Sequence, residues 1–181
     1  MDLSQVILVD ENDNPVGTSE KMKAHEQGLL HRAFSIFIFN DKGEMLLQQR
    51  ALDKYHSGGL WTNACCSHPA PGEETEAAAK RRLKEELGLE TAVKKIFDFK
   101  YKAAFDNNLS EHEFDHVFVA KYNDAINYNE DEVMAVVYKN VGQIAEGLKT
   151  NPGDYTAWFH IAFPKIKKWW AANYDFIIAQ K

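Results

Sequence analysis

PGEETEAAAKRRLKEELGLE, residues 71–90, is the most regular stretch of this 181-residue chain. Ala79, Leu83 and Leu87 recur four residues apart, which places them in one stripe along an α-helix. The spacing predicts a helix over Glu73–Leu87, closed by Gly88 in a left-handed cap. Arg81 with Glu85 and Arg82 with Glu86 are i,i+4 pairs, in an arbitrary helix a solvated face of weak ion pairs. The glycines that flank this arginine–glutamate run are a more specific signal.

On both sides of the helix the pattern changes to strands. Val6–Val9 is a short apolar run followed by the turn cluster DENDNP at 10–15, which predicts a hairpin. Lys21–Glu26 reads as a short helix ending near Gly28. Ala33–Phe39 (AFSIFIF) and Glu44–Arg50, joined by NDKG at 40–43, predict a second hairpin. Residues 51–72 carry no period and read as a long irregular loop, which in a compact domain is usually functional. Strands are expected near Val93–Phe105, Glu113–Tyr122 and Glu132–Lys139. Helices are expected over Val141–Leu148 and Tyr155–Ala179, the latter started or kinked by Pro164. With no repeat or linker, the expectation is one domain over residues 1–181, of α/β (α+β) class, with a mixed sheet and helices packed on it.

Composition narrows the function classes. The net charge of −6, from 27 acids and 21 bases, argues against a nucleic-acid binder. No apolar run approaches the roughly 18 residues of a membrane span. The acidic N-terminus MDLSQVILVDEND is unlike a signal peptide. With two cysteines only, the expected location is cytoplasmic.

Those two cysteines are adjacent, in TNACCSHP at 62–69. Neighbouring Cα atoms lie about 3.8 Å apart, below the usual disulfide range of about 4.4–6.8 Å, so a Cys65–Cys66 bridge is disfavoured. A zinc site of the paired Cys-x-x-Cys kind lacks its second pair.

The helix segment resembles the Nudix box, G-x5-E-x7-R-E-U-x-E-E-x-G-U with U aliphatic, with Gly72, Arg81, Leu83, Glu85, Glu86, Gly88 and Leu89 read as its matching residues. The resemblance implies a Nudix-type fold, a mixed sheet sandwiched between helices, with helix carboxylates that hold divalent cations against a diphosphate. One residue departs. Arg82 stands where the box has a glutamate of the metal-binding, water-activating set, which argues against ordinary diphosphate hydrolysis and leaves a guanidinium suited to gripping a diphosphate.

Joined to TNACCSHP, the chain resembles the type I isopentenyl-diphosphate isomerases. The motifs are GTSEKMKAH at 17–25, LHRAFSIFIFN at 30–40, LLQQRALDKYHSGGLWTNACCSHP at 46–69, EHE at 111–113 and EDEVM at 130–134. The resemblance implies interconversion of isopentenyl and dimethylallyl diphosphate. It implies a divalent metal (Mn, Mg or Zn) on His25, His31, His68, Glu111 and Glu113, and a Mg ion bridging the diphosphate to Glu86. Glu111 and Glu113 are i,i+2, so on a strand both face one side, with His112 opposite. Taken singly, each histidine reads as a satisfied residue, and His56, His112, His116 and His160 keep that reading.

The same resemblance gives Cys66 and Glu113 the proton transfers, with Glu113 protonating and Cys66 deprotonating, though the reverse assignment also fits a reversible reaction. It sets Tyr101 beside the glutamate and Trp158 over the cation, where an aromatic face stabilises positive charge. Without it, Tyr101 is a sheet aromatic and Trp158 core packing. Cys65 reads as a small buried hydrophobe. Lys21, Arg50, Lys54, Arg81 and Arg82 are the implied diphosphate contacts. The implied partner is a small allylic or homoallylic diphosphate, with neither nucleic acid nor membrane, and a monomer or weak dimer. The competing readings are a Nudix hydrolase of a nucleoside diphosphate derivative and a Nudix-fold module that senses a diphosphate.

Overall fold

The computed structural model describes residues 2–54, 56–105 and 108–179. Its elements in chain order are β1 (Gln5–Val9), β2 (Pro15–Glu20), α1 (Lys21–Gln27), β3 (His31–Phe39), β4 (Met45–Arg50), β5 (Trp61–Thr62), β6 (Cys65–Ser67), α2 (Thr75–Leu87), β7 (Lys94–Ala104), β8 (Ser110–Lys121), β9 (Val133–Lys139), α3 (Val141–Thr150) and α4 (Ala157–Ala179), with a 3-10 turn at Pro152–Asp154. The described strands form one mixed sheet.

β3 and β8 lie at its centre and run parallel, in register from His31↔Glu113 to Phe39↔Lys121. Both are covered on both faces, which is why AFSIFIF is continuously apolar rather than alternating. Phe34, Ile36 and Ile38 turn to one side, where Ala78, Ala79, Leu83 and Leu87 of α2 meet them. Phe37 and Phe39 turn to the other side, against Val141 and Ile144 of α3 and Trp158, Phe159, Phe163 and Ile166 of α4. The predicted stripe of α2 is therefore its buried face. Leu83 is completely packed, so truncating it to alanine would cost about 2–5 kcal/mol. Gly88 closes α2 at φ +65°, as the sequence requires.

Four local expectations change. β3 and β4 do not form an extended hairpin. They pair only at Phe39↔Met45 and then diverge, β3 to β8 and β6, β4 to β9 and β5. The irregular stretch 51–72 contains the short strands β5 and β6. The regular part of α2 starts at Thr75, two residues later than the spacing predicts. Pro164 neither starts nor breaks α4, and the non-helical residue is Asn173, at φ −124° and ψ 15°. No helix of the described residues is long and apolar enough to cross a membrane.

Candidate active site

The strand registers assemble one cluster of polar side chains on the α4 side of the sheet. β3 contributes His31 and Ser35, β6 contributes Cys66, β8 contributes Glu111, Glu113 and Asp115, and β7 contributes Tyr101 opposite Glu113. Strand alternation explains the cysteine doublet. Cys65 is fully buried among the α2-side residues, whereas Cys66 packs on the opposite core and lines a cleft. That cleft is also lined by Lys21, Arg50, Lys54, Arg82, Glu86, His68, Tyr101, Glu111, Glu113 and Trp158. Arg81 is outside it. Its guanidinium is held by Glu73 at 2.8 and 2.9 Å and by Glu85, and it borders only the adjoining groove.

Helix α1 positions two of the residues. Glu20 caps it by accepting hydrogen bonds from the Met22 and Lys23 amides. Lys21 then opens the helix and His25 lies one turn on, with its Nδ1 2.7 Å from the Lys21 carbonyl. The Nδ1 of His31 is likewise 2.8 Å from the Leu29 carbonyl. Each Nδ1–H donates to backbone, which fixes the tautomer and turns a lone pair on Nε2 inward, the usual support for a metal-binding imidazole. The Nε2 atoms of His31 and His68 are 3.1 Å apart, and Glu113 Oε1 is 3.0 Å from His68 Nε2.

Ligand atoms of His25, His31, His68 and Glu113 all lie within 4.8 Å of one another. Imidazole nitrogens crowded against each other and a carboxylate, in a buried position, suit a divalent cation better than mutual hydrogen bonding. The donor set therefore fits a metal. Glu111 falls in a second, overlapping group with His25 and His56, linked to the first through Tyr101, whose hydroxyl is 2.9 Å from Glu111 Oε2 and 2.7 Å from Glu113 Oε2.

Electrostatics separates these groups. Burial pushes the His68 imidazole down to about 3, so it is neutral and ready as a ligand without losing a proton. Burial raises the Glu111 carboxyl and the charge of Glu113 raises it further. Burial also opposes ionisation of Glu113, but the His31 and His68 imidazoles beside it outweigh burial and hold its carboxyl well below the usual range. The Cys66 thiol is pushed up, first by burial and then by the charge of Asp115, and it donates to Asn63 Oδ1 at 3.0 Å. Lys21 is pushed down by burial and then by Arg82, which is what a cationic pocket does before an anion enters it.

A family model described as NUDIX domain matches residues 29–159. The Isopentenyl-diphosphate Delta-isomerase of Pectobacterium atrosepticum is 49% identical over 172 residues, covering 95% of this chain and 96% of its own. That of Burkholderia multivorans is 45% identical over 91% of this chain and 97% of its own. The chain belongs to the isopentenyl-diphosphate Delta-isomerase family. Solved structures of a Deinococcus radiodurans protein (TM-score 0.64, 20% identity, 79% of this chain and 90% of that one) and of a MutT protein from Methanosarcina mazei (TM-score 0.63, 18% identity, 77% and 94%) share the fold.

Within this isomerase family member, the box needs one adjustment. Counted back from Gly88, the pattern puts its opening glycine at Ser67 and its first glutamate at Glu73. Gly72, at φ +80°, is therefore a turn glycine at a variable position of the box, and Glu73 is the partner of Arg81. Arg82, which replaces the box's next glutamate, donates to Glu86 Oε1 at 2.5 Å, and Gln48 donates to Glu86 Oε2 at 3.2 Å.

From the sequence, His56 reads as an ordinary satisfied histidine. It is buried and lines the isomerase cleft. Its ring stacks on Phe105 at 4.7 Å and meets Trp158 edge-on at 5.7 Å, and its Nε2 is 3.6 Å from Glu111 Oε1. Trp158 is itself buried, with the Arg50 guanidinium 5.2 Å from its ring. Spacing carries no signal for His56, because its approach to Trp158 depends on how the 51–60 segment folds back.

Proposed function

We propose that the protein interconverts isopentenyl and dimethylallyl diphosphate by moving one proton on and another off an alkene, through a tertiary carbocation. The observation that carries this reading is the joint presence in one cleft of Cys66, Glu113 and the cations Lys21, Arg50, Lys54 and Arg82. A hydrolase of diphosphates needs carboxylates and a water at the phosphate. Here one of the box carboxylate positions is Arg82, and Cys66 and Glu113 share the cleft with the cations.

In this reading Lys21, Arg50, Lys54 and Arg82 bind the diphosphate, and Trp158 and His56 wall the hydrocarbon. His25, His31, His68 and Glu113, with Glu111, would hold a divalent metal (Mn, Mg or Zn), which when bound acidifies a neighbouring carboxyl and fixes the site's geometry. A Mg ion at Glu86 would arrive with the diphosphate, since both Glu86 oxygens otherwise have protein partners. Arg81 serves the fold through Glu73 rather than the substrate.

The proton path is supported by the hydrogen bonds. The Tyr101 hydroxyl lies 2.9 Å from Glu111 Oε2 and 2.7 Å from Glu113 Oε2, so it can relay a proton between the two carboxyl groups. One proton can thus be passed to Glu113 and on to the terminal alkene carbon. Cys66, as thiolate, takes the proton that leaves the cation from the other side. Run backwards, the thiol of Cys66 donates and Glu113 accepts, so each group is acid in one direction and base in the other. The raised thiol is the resting form of that reverse direction.

Incubation with isopentenyl diphosphate and a divalent cation, read by phosphorus and proton NMR, tests the reading. Conversion to the allylic isomer with the diphosphate intact is the expected result. Release of phosphate without a shift of the double bond would establish the hydrolase instead.

A further inference from the structure

The EDEVM stretch at 130–134 is left without a task by the reaction, yet its Glu132 lies in the cleft with the diphosphate-binding cations. Its carboxylate reaches two of them. Lys54 donates to Glu132 Oε2 in a short ion pair, and Arg82 Nη2 is 3.5 Å from Glu132 Oε1. The two oxygens of one carboxylate thus stand where oxygens of a diphosphate would be gripped. Lys54 and Arg82 together hold Glu132 ionised, its carboxyl kept below the usual range against the opposing effect of burial.

The backbone builds this placement. The Ala51 amide donates to the Glu132 carbonyl at 3.0 Å, tying the residue to the segment that carries Lys54. The Asn129 amide donates to the Glu86 carbonyl at 2.8 Å, tying the same turn to the helix that carries Arg82. Glu132 is therefore fixed by backbone between the two cations it bridges. Glu86 already pairs with Arg82 at 2.5 Å, so ordinary neutralisation of that arginine does not need Glu132.

We propose that Glu132 is an anionic place-holder and specificity residue of the diphosphate grip. It occupies Lys54 and Arg82 in the free protein, keeps them extended toward the cleft, and must be displaced by the entering diphosphate. A ligand with one phosphate offers too little negative charge to displace it from both cations, so the place-holder discriminates against monophosphates. This inference rests on the reading of Lys54 and Arg82 as diphosphate contacts.

The sign of its effect separates it from a merely structural role. Removing a competing internal anion tightens binding, whereas removing a brace loosens it. The test is calorimetric titration of the metal-loaded protein with inorganic pyrophosphate and, separately, inorganic phosphate. Wild type is compared with Glu132→Gln, Lys54→Ala and the control Asp53→Asn, which removes the same charge from an exposed neighbour of Lys54. Glu132→Gln is expected to bind pyrophosphate about tenfold more tightly, to gain more for phosphate than for pyrophosphate, and so to lose selectivity. Asp53→Asn is expected to stay within about twofold of wild type, since bulk charge is screened at ordinary ionic strength. Unchanged or weaker pyrophosphate binding by Glu132→Gln, or equal tightening by Asp53→Asn, would overturn the place-holder. If Lys54→Ala binds pyrophosphate as well as wild type, the diphosphate grip itself is wrong, which is a different failure. Melting temperatures of all variants, measured alongside, show that each binds as a folded protein.

Discussion

At one end of the cleft His25 and His31 are completely buried and Glu113 is 6% exposed, and burial there lowers the His25 and His68 imidazoles beside a carboxylate held ionised. At the other end Lys54, Arg82 and Glu132 keep 20 to 23% of their side-chain surface, and every group is charged and ion-paired. Burial tolerates little net charge, so the inner end is arranged by hydrogen bonds that set tautomers and by shifts that keep imidazoles neutral. The outer end tolerates charge because water reaches it, and there salt bridges hold long side chains in place until an anion replaces one partner. In the proposed reading one cleft thus offers a dry end for proton transfer and a wetter end for phosphate.

Changing the buried end should have the largest consequence. In the proposed reading Glu113→Gln removes a proton carrier and a metal ligand together, and turnover should fall by about 10⁴-fold or more, at the upper limit of general acid–base effects. Metal content, read by mass spectrometry of the dialysed protein, should fall with it. Full metal retention in that variant would show that Glu113 is not part of the ligand group.

Cys66→Ala sharpens the comparison, since it removes proton transfer while leaving the ligands. Turnover should drop by about 10²–10⁴-fold with metal content and pyrophosphate affinity unchanged. Cys65→Ala, on the other face of the sheet, should keep most of the activity and lose about 1 kcal/mol of stability in denaturant titration. Equal losses of activity from both would contradict the division of the doublet.

At the outer end the effect should be on binding. Lys54→Ala is expected to raise the KM for isopentenyl diphosphate about tenfold, with a smaller change in kcat, because an interaction made equally in ground and transition states is lost. A fall in kcat with KM unchanged would move Lys54 into the chemistry.

The smallest effect is a pH dependence at the inner wall. Burial, aided by the charge of Glu113, raises Asp115 to about 8 from an ordinary 3.8. An acid raised in the folded state contributes stability below about pH 4 and loses it as pH climbs through about 8. Asp115→Asn keeps the Ser35 hydrogen bond (2.8 Å in the parent) while removing the ionisation. The variant should therefore melt a few degrees higher than wild type at pH 8.5, with a smaller difference at pH 5 that vanishes only below about pH 4. A constant difference at both pH values would place the effect in packing.

How much of this was legible in the sequence depends on distance along the chain. The stripe and cap of α2 follow from neighbouring residues and could be read directly. The parallel pairing of β3 with β8 could not, because it joins segments about eighty residues apart and the local turn at 40–43 points to a hairpin instead. β5 and β6 are too short to show a period. The residues assigned to the site came from resemblance, and the structure brings all but Arg81 to the cleft or to the ligand groups at its buried end. His56 and Glu132 were missed because their settings depend on distant segments, Phe105 and Trp158 around the His56 ring and Ala51 on the Glu132 backbone, and nothing in their immediate neighbours records that.

The central claim is that a proton is added at the buried end while the diphosphate stays intact at the outer end. Turnover of isopentenyl diphosphate in deuterated water tests it most directly. The account predicts dimethylallyl diphosphate carrying deuterium in the newly formed methyl group, without free phosphate, from wild type and not from Glu113→Gln. Allylic product with no deuterium, or phosphate released from unrearranged substrate, would contradict it.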